Sequence, residues 1–116
     1  MLGSILTATI GVLHFGIMVL EMFFWTSERS RRAFSITLEF ARATKALAAN
    51  QGLYNGFIAA GLIWGAWLGT DGKAISTYFL LSVAIAGIFG AITVARRIIL
   101  VQTVPSLIAL AAVHFG

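Results

Sequence analysis

The longest uncharged run in the chain is residues 46–70, ALAANQGLYNGFIAAGLIWGAWLGT, which is 25 residues long. The hydrocarbon core of a bilayer is about 30 Å thick, and about 20 helical residues cross it. Three further uncharged runs cover residues 1–20, 74–95 and 98–116. Strands with open edges are excluded, because their backbone polar groups would stay unpaired in lipid. The pattern therefore predicts an all-α integral membrane protein, a bundle of four transmembrane helices with short loops.

The four helices are expected in a single transmembrane domain at about residues 3–25, 47–69, 75–94 and 98–115. Residues 26–46 form a basic connection between the first two. In this connection, Thr37 followed by Glu39 predicts a helix N-cap with an acidic residue in the first turn. We therefore expect the second helix to begin near Leu38 and to continue unbroken into the membrane.

The amino-acid composition agrees with a membrane protein and excludes several classes of function. Hydrophobic residues make up 59% of the 116 residues and charged residues only 10%, against about 25% charged in soluble domains. This excludes a classical soluble enzyme and a disordered tail. The net charge is +4, but no basic patch alternates with stacking aromatics, so no nucleic-acid partner is predicted.

Two absences in the sequence limit the chemistry further. There is no cysteine, which excludes disulfides, thiolate nucleophiles and cysteine metal sites. Two histidines and a glutamate without close spacing are not a metal-ligand set, so neither a metal nor a cofactor is expected.

No Lys or Arg precedes the first apolar run, and that run is too long for a signal peptide, so we interpret it as a retained helix.

The positions of the Lys and Arg residues predict how the chain is oriented in the membrane. The first connection holds five of them, the second only Lys73, and the third Arg96 and Arg97. The first and third connections share one side of a four-helix meander, so the split is seven to one. Basic loops stay in the cytoplasm, which predicts that both termini lie outside it.

One face of the first helix carries its polar residues. At 100° per residue, an arc of about 100° contains Gly3, Ser4, Thr7, Gly11, His14, Met18, Glu21 and Trp25. We predict that this stripe faces protein and that the rest of the helix faces lipid. His114, at the outer end of the chain, is interpreted as an interfacial residue.

Polar residues of three helices are expected at one depth, the inner-leaflet third of the membrane. Glu21 lies about one turn below the end of the first helix, and His14 about 10 Å deeper. An ionisable residue inside a membrane indicates function by default. We predict a polar pocket whose candidate ligand-binding residues are Glu21, Asn50, Gln51, Asn55, Gln102, His14 and Tyr54. Two alternatives stay open: Glu21 could reach the loop arginines instead, and His14 could be a hydrogen-bonded packing residue.

Several strings in the chain carry a family resemblance. They are Leu20–Trp25 (LEMFFW), residues 44–57 (TKALAANQGLYNGF), and the pair Gln102 and Pro105. Together they resemble the small four-helix bacterial membrane proteins of the domain-of-unknown-function family numbered 1304. The resemblance implies a four-helix fold in the bacterial inner membrane. It implies no activity.

Three functions remain open at this point. The first is a binding or transport protein for a small amphiphilic or lipid-like ligand. The second is a structural or accessory subunit of a larger membrane complex. The third is a membrane enzyme acting on a lipid-like substrate, for which Tyr54 is the one nucleophile candidate.

Glycines recur at helical spacing in the second helix, in the series Gly52/Gly56 and Gly61/Gly65/Gly69. Such series allow two helices to approach closely. We interpret both series as packing surfaces, and we expect the second to support a homo-oligomer, most simply a dimer.

Overall fold

The computed structural model describes residues 1–116, all of which fall in helices or the short segments that join them, with no strand. The six α-helices are α1 (Leu2–Phe23), α2 (Glu28–Phe34), α3 (Leu38–Ala43), α4 (Lys45–Leu68), α5 (Lys73–Thr93) and α6 (Val104–Phe115). A 3₁₀ turn, Gly69–Gly72, joins α4 to α5, and a π-helical segment, Ile99–Thr103, precedes α6. The predicted all-α class is confirmed.

The chain divides into two compact units. The terminal unit comprises residues 1–12 and 60–116, and the central unit comprises residues 13–59. By length and composition alone, the stretches long and apolar enough to cross a membrane are Leu2–Phe23 and Lys45–Thr93, and Ile99–Phe115 is a shorter apolar helix. The single domain with four membrane spans stays a prediction.

In the terminal unit, α4 and α5 approach closely through glycine. A Cβ atom on Gly65 would lie 2.9 Å from the backbone nitrogen of Ser76, and one on Gly61 would overlap the ring of Phe79. Gly69 has a φ of +62°, a left-handed conformation that suits glycine at the end of α4. The expectation that this series faces a second copy of the chain is therefore wrong, because α5 of the same chain covers Gly61 and Gly65. The dimer itself stays a prediction.

The fourth apolar run does not form one regular helix. The N–H of Val104 donates to the carbonyl of Ile99, a π-type bond five residues long. Pro105 follows directly; it has no N–H, and its ring would clash with the carbonyl of Val101 in an α-helix. The wider π turn relieves that clash. The segment is held against α5 by the Thr103 hydroxyl, which donates to the carbonyl of Ala84 at 2.9 Å.

In the central unit, the stretch between α1 and α4 is folded rather than extended. Ser27 caps α2 by accepting a hydrogen bond from the N–H of Ser30 at 3.2 Å. Ser35 ends α2 in the left-handed region, at φ 56°. Thr37 caps α3 by accepting from the N–H of Phe40 at 3.1 Å. The predicted N-cap and helix start at Leu38 are confirmed.

The expected continuity from Leu38 into the apolar run is wrong, because Thr44 separates α3 from α4. Thr44 has φ −108° and ψ 11°. Its hydroxyl donates to the carbonyl of Phe40 at 2.7 Å and accepts from the indole N–H of Trp25 at 3.1 Å. The ring of Trp25 also packs on Phe34, with centroids 4.9 Å apart. These contacts tie the end of α1 to both short helices.

Candidate ligand-binding site

The polar stripe of α1 is confirmed by burial. All eight of its residues are buried or half-buried. Residues on the other side of the helix, such as Val12, Leu13 and Phe15, are exposed. The helical arrangement therefore separates one protein-facing stripe from an apolar outer surface.

The structure brings two of the predicted site residues into contact, Glu21 and Asn55, in the central unit. Each is 7% exposed. The amide nitrogen Nδ2 of Asn55 donates to Oε1 of Glu21 at 2.5 Å. The carboxyl group thus has an uncharged partner on a neighbouring helix.

Two glycines of α4 bring the backbones of α1 and α4 together beside this pair. A Cβ atom on Gly52 would lie 3.0 Å from Cβ of Glu21 and 3.1 Å from the carbonyl oxygen of Met18. A Cβ atom on Gly56 would lie 2.8 Å from the sulfur of Met18. The predicted packing role of the Gly52/Gly56 series is confirmed, and it explains how a short asparagine side chain reaches Glu21.

Glu21 makes no ion pair. The salt bridge between Glu28 and Arg32, on the exposed surface of α2, is the one ion pair in residues 1–116. The alternative in which Glu21 reaches the loop arginines is therefore wrong. A carboxylate offers about four acceptor sites on its two oxygens, so the bond from Asn55 leaves acceptor capacity on Glu21.

Three of the predicted site residues lie on the outer surface of α4. Asn50, Gln51 and Tyr54 are exposed, and the ring of Tyr54 contacts that of Phe57 edge-on, with centroids 6.1 Å apart. Their depth along the helix is the reason that they were predicted to lie near Glu21. They point away from it because they lie on a different face of α4, and among the four predicted residues of this helix only Asn55 is on the buried face.

The remaining two predicted residues have different settings. His14 lies on the buried stripe of α1 with 2% exposure, and it interacts with other groups of the chain, which agrees with the packing interpretation. Gln102 is half-buried in the π-helical segment of the terminal unit. Its convergence with Glu21 stays a prediction.

The terminal unit also contains a polar cavity that was not predicted from the sequence. It has a volume of about 170 Å³ and is lined by Ser4, Thr70, Lys73 and Ser76 among others. Ser76 is 3% exposed. The sequence feature that could have indicated this cavity is Ser76, a small polar residue of α5 that packs against Gly65 of α4. No three His, Asp or Glu side chains in residues 1–116 lie close enough together to hold a metal ion.

Comparisons with known proteins identify a family and one similar protein, neither with a described activity. The sequence matches, over residues 8–114, the model of a family described as "Protein of unknown function (DUF1304)". It is 30% identical over 116 residues to the uncharacterized protein YpaA of Lactococcus lactis subsp. lactis (strain IL1403), and the alignment covers 98% of each chain. No solved structure matches the chain.

Proposed function

The chain belongs to the DUF1304 family of proteins of unknown function, and because that family names no activity, we propose a function from the geometry of the chain itself. The protein is an integral membrane protein of the bacterial inner membrane. It binds, and in a transport cycle carries, a small amphiphilic or lipid-like ligand. The Glu21–Asn55 pair is the polar contact for that ligand.

The membrane assignment rests on exposed apolar surface. In each long apolar stretch, only 28% of an apolar window of 18 residues is buried within the chain. Trp67 is 87% exposed, Ile92 79% and Phe89 69%. Soluble monomers rarely expose contiguous apolar patches larger than a few hundred Å². A bilayer around four spans, with both termini outside the cytoplasm, would cover these faces and leave the charged residues in the connections.

The single observation that carries the binding proposal is a buried carboxyl group without a cation. A charged group taken out of water is costly unless it is paired, and within membranes such residues mark ligand or ion pathways. Glu21 has only the amide of Asn55 as a side-chain partner. A cationic or hydroxylated amphiphile would supply the missing charge or further hydrogen bonds.

The test uses a hydrophobic cation, tetraphenylphosphonium, and the protein in lipid nanodiscs. Equilibrium dialysis measures the Kd. We expect Glu21→Gln, which keeps the shape of the side chain and removes its charge, to weaken binding by about tenfold or more. The matched control is Glu28→Gln, since Glu28 is an exposed acid, and it should leave the Kd unchanged. Equal binding by wild type and Glu21→Gln at every pH would overturn the proposal.

A second candidate is an accessory subunit, in which the same pair only fixes the packing of two helices. The close contact of Gly52 with Glu21 favours it, since the bond then sets the register of α1 against α4. In that case Glu21→Gln is silent in binding. Glu21→Ala, which leaves the amide of Asn55 unpaired, still costs about 1–3 kcal/mol of stability.

A further inference from the structure

We propose that residues 27–45, which we call the basic platform, bind the headgroups of anionic phospholipids at the cytoplasmic surface of the membrane. The proposal rests on the membrane insertion proposed above. It concerns a different surface from the Glu21 site.

The charge of the platform is largely unpaired. It holds five cations, Arg29, Arg31, Arg32, Arg42 and Lys45, against Glu28 and Glu39, for a net charge of +3. The only ion pair joins Arg32 to Glu28. Arg29, Arg42 and Lys45 are all exposed, so their charges are available to an outside partner.

The platform is a folded surface, which distinguishes it from a flexible basic loop. Both of its short helices are capped by side chains, and each has one fully buried residue, Ser30 in α2 and Ala41 in α3. Trp25 joins the two helices by its contact with Phe34 and its hydrogen bond to Thr44. A folded surface loses little conformational entropy on binding, so its cations are held ready for a partner.

An open cleft beside Arg31 offers room for a phosphate group. Its volume is about 390 Å³, and it is lined by Glu28, Arg31, Arg32, Ser35, Ile36 and Thr37. The Nε–H of Arg31 donates to the carbonyl of Thr26 at 3.2 Å, which fixes the side chain and leaves its terminal nitrogens for a ligand. Guanidinium groups bind phosphate oxygens through paired hydrogen bonds.

Exposed apolar residues beside the cations favour a lipid over a soluble acidic partner. Phe40 is 52% exposed, Phe24 53% and Leu47 72%. A membrane interface takes both parts, since the cations meet phosphates while the apolar side chains enter the acyl boundary. An acidic polypeptide would neutralise the charge and leave these residues in water.

The experiment uses Trp25 as an internal reporter of lipid contact. Trp64→Phe and Trp67→Phe, at two exposed positions, leave it as the sole tryptophan. The variant is reconstituted in bilayers with brominated phosphatidylglycerol or brominated phosphatidylcholine at equal mole fraction, and quenching of fluorescence gives their relative association. We expect a preference of about fivefold for phosphatidylglycerol, reduced by high salt.

The decisive variant is Arg29→Gln/Arg31→Gln/Arg42→Gln, which removes the cation beside the cleft together with two exposed cations and should reduce this preference to about one. The matched control removes the same number of cations outside the platform, Lys73→Gln/Arg96→Gln/Arg97→Gln, and should keep the preference. An equal preference in both triple variants would overturn the proposal. A wild-type protein that shows no lipid preference but binds soluble polyglutamate would also overturn it, and would assign the platform to an acidic protein instead.

A separate measurement distinguishes this proposal from membrane insertion. Alkaline carbonate extraction reports insertion without regard to lipid charge. A protein that resists extraction but shows no lipid preference overturns the platform proposal alone. A protein that is extracted overturns both.

Discussion

Gly52 lies where α4 packs closely against α1 in the central unit, so adding a single methyl group there tests this packing most directly. A Cβ atom there would lie 2.6 Å from Cγ of Met22 and 3.1 Å from the carbonyl oxygen of Met18. The methionine side chain can move, but the backbone carbonyl can do so only if α1 and α4 separate. The hydrogen bond between Glu21 and Asn55 depends on that same separation, so the glycine and the carboxyl group should respond together.

We expect Gly52→Ala to destabilise the protein by about 1–3 kcal/mol, because it overfills a close helix contact. The matched control is Gly16→Ala, since nothing lies within 4 Å of the added methyl group. An open helical position should gain up to about 1 kcal/mol from the same substitution. Unfolding of both variants in detergent by denaturant gives the comparison. Equal shifts for the two would show that α1 and α4 are not in close contact at Gly52.

Among the helices, the long ones were predictable from the sequence, whereas of the two short ones only the start of α3 was. Uncharged runs give the positions of α1, α4 and α5 to within a few residues, because apolar length dominates their sequences. The helices α2 and α3 are seven and six residues long, and neither lies in an uncharged run. Their stability depends on caps and on Trp25, whose partner Thr44 lies 19 residues away.

The candidate site was predictable only in part, for a related reason. Spacing along one helix places Glu21 and His14 on one buried face of α1, as observed. For α4 the sequence offers several amides at similar depth, and a rotation of about 100° per residue decides which one is buried. Gly52 and Ala48 mark that face, but a face of small residues is a weaker signal than a row of polar ones.

The joint between the short helices and α4 should depend on Thr44. Thr44→Val removes the acceptor for the indole of Trp25 and should cost about 1 kcal/mol, with a change in the near-ultraviolet circular dichroism of tryptophan. Thr93→Val is the control, since the hydroxyl of Thr93 bonds only to the carbonyl of Phe89 in its own helix. A tryptophan signal that is unchanged in Thr44→Val would contradict the tie between Trp25 and α3.

For the chain as a whole, the distribution of charge should determine its orientation in the membrane. The platform and the connection at Arg96 and Arg97 hold seven of the eight cations. The positive-inside tendency therefore favours a cytoplasmic location for both. The connection between α4 and α5 is then expected on the outer side.

The chain has no cysteine, so single cysteines can report its orientation. We expect Asp71→Cys to react with a membrane-impermeant thiol reagent added outside intact cells, and Arg29→Cys to react only after the cells are opened. Both positions are exposed. The neighbouring positions Gly72 and Ser30 are buried and would be silent in either orientation. Labelling of Arg29→Cys in intact cells would invert the proposed topology.

The π-helical segment has a consequence for aligning this chain with its relatives. A hydrogen bond five residues long holds one residue more than an α turn would, so Ile99–Thr103 has the form of a single-codon insertion directly before the regular helix α6. A relative without that codon would keep α6 and Pro105, but every residue before the turn would rotate by about 100° relative to α6. The direction faced by Gln102 would then be set by the number of residues in the chain as much as by their identity. An alignment that places its gap elsewhere would compare side chains on different faces of the helix.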